Sequence, residues 1–207
     1  TFSITVPTAV PVTDFLALKR AGDARPLTQT EGADDGREGR VTVINGATDT
    51  VFTSVALNPI ANVGDAFKSD GNTLRREPTS NPAVFDNTVG AFPNLLEAVA
   101  IRNGIAYIPN TCSSPNGPFR FNVNVQSCLS TVRGSSYTEA FPTLNMNVGV
   151  NFEPVGVKLF NTNPVAIAFK HASPEALIAL GATDRLVRVA VGGNGAVGVD
   201  GNGRVAE

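Results

Sequence analysis

The chain has 207 residues, 42% of them hydrophobic and 16% charged, with a formal net charge of −2. That length is ample for one domain with its own core, and the apolar share excludes a disordered polymer. No cluster of Lys and Arg offers the charge that nucleic acid demands, and no apolar run approaches the roughly 20 residues of a membrane span.

The first residues, "TFSITVPTAVPVTDF", have no basic leader region and are broken by Pro7 and Pro11, so they do not read as an uncleaved signal peptide. They fit a mature terminus left by processing, or the first residues of a fragment. Ala21–Gly39 follows, polar and without a period, and is expected to be a surface excursion between strands. "RVTVINGATDTVFTSVAL" (Arg40 to Leu57) reads as strand, turn, strand. Val41, Val43, Val51 and Val55 are β-branched, and the Asn-Gly-Ala-Thr-Asp between them accepts positive φ. Phe67–Phe92 is a second polar excursion, and "NPAVFDNTVGAFPNLLEAVA" has room for one turn of helix.

"AVAIRNGIAYIPN" (Ala98 to Asn110) carries Asn103-Gly104, the strongest short hairpin signal. Cys112 and Cys128 come next. A bridge between them would stabilise the fold by roughly 3 kcal/mol and place the chain in an oxidising compartment; two buried thiols of a cytosolic protein are the alternative. Further strands are expected at Arg120–Val125, Thr143–Val150 and Val165–Phe169. "SPEALIAL" has a helix-start look, with Ser173, Pro174 and Glu175, but its apolar run stops at Gly181. Strand is the reading chosen there. "EALIALGATDRLVRVAV" then repeats the plan of the earlier hairpin, with Leu186, Val187, Val189 and Val191 in its second strand. The last stretch, "VAVGGNGAVGVDGNGRVAE", alternates short apolar pairs with Gly and Asn turns.

The letters Gly-Ala-Thr-Asp thus occur twice, at Gly46–Asp49 and Gly181–Asp184, each time between apolar runs. They are expected to be equivalent hairpin turns in repeated sheet units. The fold class is all-β. Thin antiparallel units that cannot close their own cores point to a propeller of three or four blades, with a β-sandwich as the rival. Residues 1–207 form one such segment, probed by loop insertions at about 21–39 and 67–92.

Several of these stretches resemble YVTN-type bacterial propellers. "AVAIRNGIAYIPN" is similar to their "YV-x-N" strand, and "RVTVINGATDTVFTSVAL" to their "V-x-V-I-D-x-A-T-x-T-V" signature. "NPVAIAF" with "ALIALGATDRLVRVAV" is similar to the next unit, so the likeness covers roughly residues 40–199. Asn45 stands where the signature usually has an acid, and Cys112 and Cys128 look like additions. Such propellers occur beside di-haem cytochrome c peroxidase-like modules in large secreted proteins. The resemblance implies a scaffold or binding role in a secreted, periplasmic or cell-surface protein. Its partners would be a protein, the remaining blades of the ring, or a haem peroxidase module. The chain is short for a regular seven-bladed ring, which implies an incomplete propeller.

Chemistry is sparse. A c-type haem needs C-x-x-C-H, and neither cysteine supplies it, so any haem and any redox activity would lie outside this chain. The single histidine, His171, cannot by itself build a zinc or copper site and reads as a surface turn. "VRGSSYTE" lacks the second glycine of a serine-hydrolase elbow, and "GGNGAVG" lacks the Lys-Ser/Thr of a phosphate loop. No catalytic residue is assigned. Asp34-Asp35 reads as a solvated pair and Arg75-Arg76 as a small basic spot. Asp200, Asn202 and Glu207 meet fragments of a calcium-loop spacing, against the plainer reading of a Gly/Asn turn. Phe119 and Phe121 flank Arg120, and the pattern fits either core aromatics or a docking surface with an Arg120 anchor.

Overall fold

The computed structural model describes residues 9–14, 39–66, 87–113, 125–147, 160–199 and 204–206. Among them there is no helix, and every strand pair is antiparallel. Strands β1 (Ala9–Asp14), β2 (Arg40–Asn45) and β3 (Thr50–Ala56) form a three-stranded sheet in chain order. The β1 strand is not among the expected elements, and it contains Pro11. Pro11 is tolerated there because β1 pairs only with β2 among the described strands, leaving an edge that needs no donor.

The second sheet has seven strands. Its main path runs β10 (Leu144–Asn145), β8 (Val125–Arg133), β7 (Ile105–Ser113), β5 (Asn87–Leu96), β4 (Ile60–Ala66). The short strands β6 (Ala100–Arg102) and β9 (Thr138–Glu139) pair with β7 and β8. The third sheet runs β11 (Pro164–Phe169), β12 (Glu175–Leu180), β13 (Arg185–Val191), β14 (Val197–Gly198), with β15 (Arg204–Ala206) also on β13.

Strands β7 and β8 are buried along nearly their whole length, and their alternation divides the core in two. Ile105, Tyr107 and Leu129 pack with Ala176, Ile178, Leu180, Val187, Val189 and Val191 of the five-stranded sheet. Ala106, Ile108 and Val132 point the other way, to Val41, Val55 and Leu57 beside the three-stranded sheet. The period of two in a strand makes this unavoidable: successive side chains leave opposite faces, and here both faces are covered. The three sheets therefore stack in chain order, with the β7–β8 pair covered on both faces.

A proline inside such a central strand should break its ladder. Pro109 is accommodated because the neighbour of β7 changes there. β6 pairs as far as Tyr107 and β5 begins at Asn110, so neither has a residue opposite Pro109. The Asn110 side chain fills part of the gap, its Nδ2 donating to the Ile108 carbonyl at 2.8 Å and to Ser130 Oγ at 3.1 Å.

Cys112 and Cys128 form a disulfide with Cα atoms 6.0 Å apart. It runs diagonally from β7 to β8, since Cys112 pairs with Gln126 and Cys128 with Asn110. Both cysteines are fully buried beside Ala91. Lower in the chain, Asn147 and Asn161 clasp each other. Asn161 N donates to Asn147 Oδ1 at 2.7 Å, Asn147 Nδ2 to the Asn161 carbonyl at 2.9 Å, and Asn161 Nδ2 to the Met146 carbonyl at 2.8 Å. The clasp fastens the strand that opens the third sheet onto the edge of the second.

Three expectations need correction. Asn87–Leu96 is strand, so the second insertion does not extend to Phe92, and no helical turn occupies Asn87–Leu96. The β8 strand begins where the sequence reading ended one, at Val125, and continues through Arg133. Its Gln126, Ser127, Ser130 and Thr131 hide any apolar alternation, yet all four are buried. The two Gly-Ala-Thr-Asp segments are both four-residue hairpin turns closed by a left-handed Asp, φ 54° at Asp49 and 47° at Asp184. They are not equivalent in place. The first joins the last two strands of its sheet, whereas the second is followed by β14. The first also lies near the Gly134–Tyr137 turn, through a Phe52–Tyr137 ring contact of 5.1 Å. Gly134 N in turn donates to the Gly104 carbonyl at 2.8 Å. The second lies at the far end of β13 from Gly192–Gly195, which packs on Ile105 and Tyr107. The two turns therefore mark opposite ends of the stack. Gly134–Tyr137 has the same form, with Tyr137 at φ 53° and its N–H on the Arg133 carbonyl at 2.8 Å, so the form does not require those four letters.

Candidate functional site

Turns from two sheets converge at the Asn103-Gly104 end. Asn103 and Gly104 sit at φ 52° and 74°, the mirror-image turn that strand twist prefers, with Arg102 opposite Ile105. That tight closure projects Arg102 toward β11, where its guanidinium lies over the Phe169 ring, 5.2 Å from the centroid. Phe169 also meets Tyr107 edge to face, with centroids 5.0 Å apart. The Tyr107 hydroxyl donates to the Gly195 carbonyl at 3.1 Å. Gly195 itself has φ +90°, and a Cβ there would press on Ile105 Cδ1 and the Tyr107 hydroxyl, so only glycine fits without displacement.

A cleft of about 260 Å³ opens between these elements. Arg102, Asn103 and Tyr107 line it from the middle sheet; Ala172, Ser173 and Pro174 come from the β11–β12 turn, and Val191 with Gly192, Gly193 and Gly195 from the β13–β14 turn. Ala172 is held at φ 51°, a conformation that costs a non-glycine residue about 1 kcal/mol. Arg102 Nη1 is buried and has no hydrogen-bond partner. Burial raises the Tyr107 phenol above its ordinary value, opposed by the nearby Arg102 charge. Glu175, just beyond Ser173, is lowered, first by its hydrogen bond with Lys170. Its charge is already shared between Lys170 at 3.2 Å and Arg188 at 3.9 Å.

A second cleft, of about 580 Å³, lies where the three-stranded and seven-stranded sheets meet, between Asn58–Ile60 and Glu139–Thr143. Its carboxylate is held in place: Asn58 N donates to Glu139 Oε1 at 2.8 Å and Asn58 Nδ2 donates to Oε2. Thr143 Oγ1 donates to the Asn58 carbonyl at 3.0 Å.

His171 is exposed in the β11–β12 turn. Ser135 and Ser136 occupy an exposed hairpin turn. Among the described residues no group of three or more His, Cys, Asp or Glu gathers at one place. Asp34, Asp35, Arg75, Arg76, Phe119, Arg120 and Phe121 lie outside the described residues, as do the calcium candidates Asp200, Asn202 and Glu207. Sequence reasoning passed over Arg102 and Gly193. The glycines of "GGNGAVG" were visible, but read as turn residues alone, and nothing in the sequence places that turn beside Arg102.

Comparison with protein-family models, curated proteins and solved structures finds no match to the chain.

Proposed function

We propose that this chain is a non-catalytic binding scaffold, built from stacked antiparallel blades of the propeller type and working outside the cytoplasm. The observation that carries the reading is the middle sheet. Its β7 strand sends Ile105 and Tyr107 into one flanking sheet and Ala106 and Ile108 toward the other, with the three sheets in chain order. Blades of a propeller have this relation to their neighbours. The free face of the five-stranded sheet supports it too. Ala166 and Ala168 of β11, Leu177 of β12 and Ala190 of β13 are exposed there, interleaved with the surface ion pairs of Glu175 with Lys170 and Arg188, so small apolar side chains and paired charges face outward where a further blade would stack. The buried disulfide fits an oxidising compartment.

Two measurements test the reading. The chain is expressed together with whatever its native reading frame places on either side, and small-angle scattering is recorded. A disc-shaped particle with a closed ring of sheets is expected, and an elongated or open two-layer particle overturns the propeller. Purified chain is then assayed with generic peroxidase and ester or peptide hydrolase substrates. Turnover that a point substitution in the chain abolishes overturns the non-catalytic reading.

A further inference from the structure

We infer that the cleft between Arg102 and the Gly192–Gly195 turn binds a carboxylate. The inference goes beyond the scaffold reading, because the cleft depends only on how two sheets pack and not on whether they belong to a ring.

A guanidinium buried at one nitrogen without an acceptor is costly, and native structures compensate such charge with an anion. Arg102 Nη1 is in that position. Among the described residues no carboxylate pairs with it; the nearby Glu175 is engaged by Lys170 and Arg188. The contact with the Phe169 ring holds the plane of the guanidinium, which leaves its donor fork preorganised. Two more donors border the same space. The Gly193 amide and the Asn103 side-chain amide have no acceptor among the described residues, and a Cβ at Gly193 would meet nothing within 4 Å, so its backbone is open to close approach.

Ala172, Pro174 and Val191 give the remaining walls an apolar stretch, beside Ser173, whose hydroxyl donates to Glu175 Oε2 at 3.2 Å. A single cation with two neutral donors balances one negative charge. A doubly charged phosphate would be under-neutralised there. The volume of about 260 Å³ is below that of a drug-sized site and suits a planar carboxylate on a short aliphatic stem. That chemistry belongs equally to a small free carboxylate and to an acidic side chain of a protein partner.

Residue-resolved amide shifts are followed while sodium acetate, a capped Gly-Glu-Gly peptide, or sodium chloride is added at matched ionic strength. Saturable shifts at Gly193 and Asn194 with acetate support a free carboxylate as sufficient ligand. Saturation with the peptide alone supports the partner side chain as the source. Arg102→Gln is expected to weaken binding at least about tenfold, the usual effect of losing one charge-assisted hydrogen bond, and Arg102→Lys to fall between. The inference is overturned if neither carboxylate saturates, if chloride produces the same shifts, or if Arg102→Gln binds as tightly as the parent. The parent titrations decide the matter even if both variants fail to fold.

Discussion

The phenolic hydroxyl of Tyr107 donates to the backbone carbonyl of Gly195 across 3.1 Å, tying the central strand of the middle sheet to a turn of the third. Tyr107 is 1% exposed, so water cannot replace the bond. Tyr107→Phe is expected to lower unfolding stability by about 1 kcal/mol, with an unchanged denaturant slope. Gly195→Ala is expected to cost more, of order 1–3 kcal/mol, because it adds left-handed strain to the displacement of Ile105 and Tyr107. Urea denaturation of both variants checks the order; equal stability of all three proteins would contradict it.

The two-sided burial of β7 makes a prediction of its own. Ile108→Ala and Ile178→Ala empty sites on opposite faces of the middle sheet, and each is expected to cost about 2–5 kcal/mol. Ile101→Ala, at a side chain 57% exposed, is expected to stay within about 0.5 kcal/mol of the parent. Were Ile108→Ala as mild as Ile101→Ala, the three-stranded sheet would not cover that face.

The Cys112–Cys128 bridge closes a short loop, with a sequence separation of 16. Chain entropy alone predicts that replacing both cysteines by alanine removes roughly 3 kcal/mol. A reducing agent is expected to lower the urea midpoint of the parent and leave that of the double-alanine variant unmoved.

Stability is expected to fall at both ends of the pH range, for different reasons. The Tyr107 phenol is raised above its ordinary 10.0 by burial. Above that value the unfolded chain ionises while the folded one resists. The stability is therefore full below pH 10 and declines above it, by at most about 1.4 kcal/mol per pH unit from this group. Glu175 is lowered from its ordinary 4.5 by Lys170, so its contribution is present above that value and fades as pH falls through the lowered one. Because the Lys170–Glu175 pair is at the surface, salt should weaken the acid effect. With two tyrosines and no tryptophan, tyrosinate absorbance reports the alkaline step directly, and Tyr107→Phe should remove its part of that signal.

How much was legible depended on where each residue's partner lay. The Asn103-Gly104 hairpin and the Glu175–Leu180 strand are legible, the first because turn chemistry acts within a few residues, the second because its apolar run stops at Gly181 and matches the earlier hairpin. The β8 strand is not legible because its buried Ser127, Ser130 and Thr131 break the apolar alternation, and what covers them lies elsewhere in the chain, as with Thr143 Oγ1 at 3.2 Å from Ser130 Oγ. The candidate cleft was not legible at all. Arg102 and Gly193 are far apart in the chain and become neighbours only when β7 packs on the third sheet.

The sequence by itself determined the all-β class, the separate hairpins and the cysteine pair that the fold joins, since local sterics, a period of two and covalent chemistry govern these. Only the tertiary structure decided which faces meet, why a central strand tolerates Pro109, and that two identical Gly-Ala-Thr-Asp turns end at opposite poles of the stack. The physical reason is that a four-residue turn encodes a reversal of direction and nothing more. Its place is fixed by apolar burial between sheets, a force without direction that sums over contacts remote in the chain.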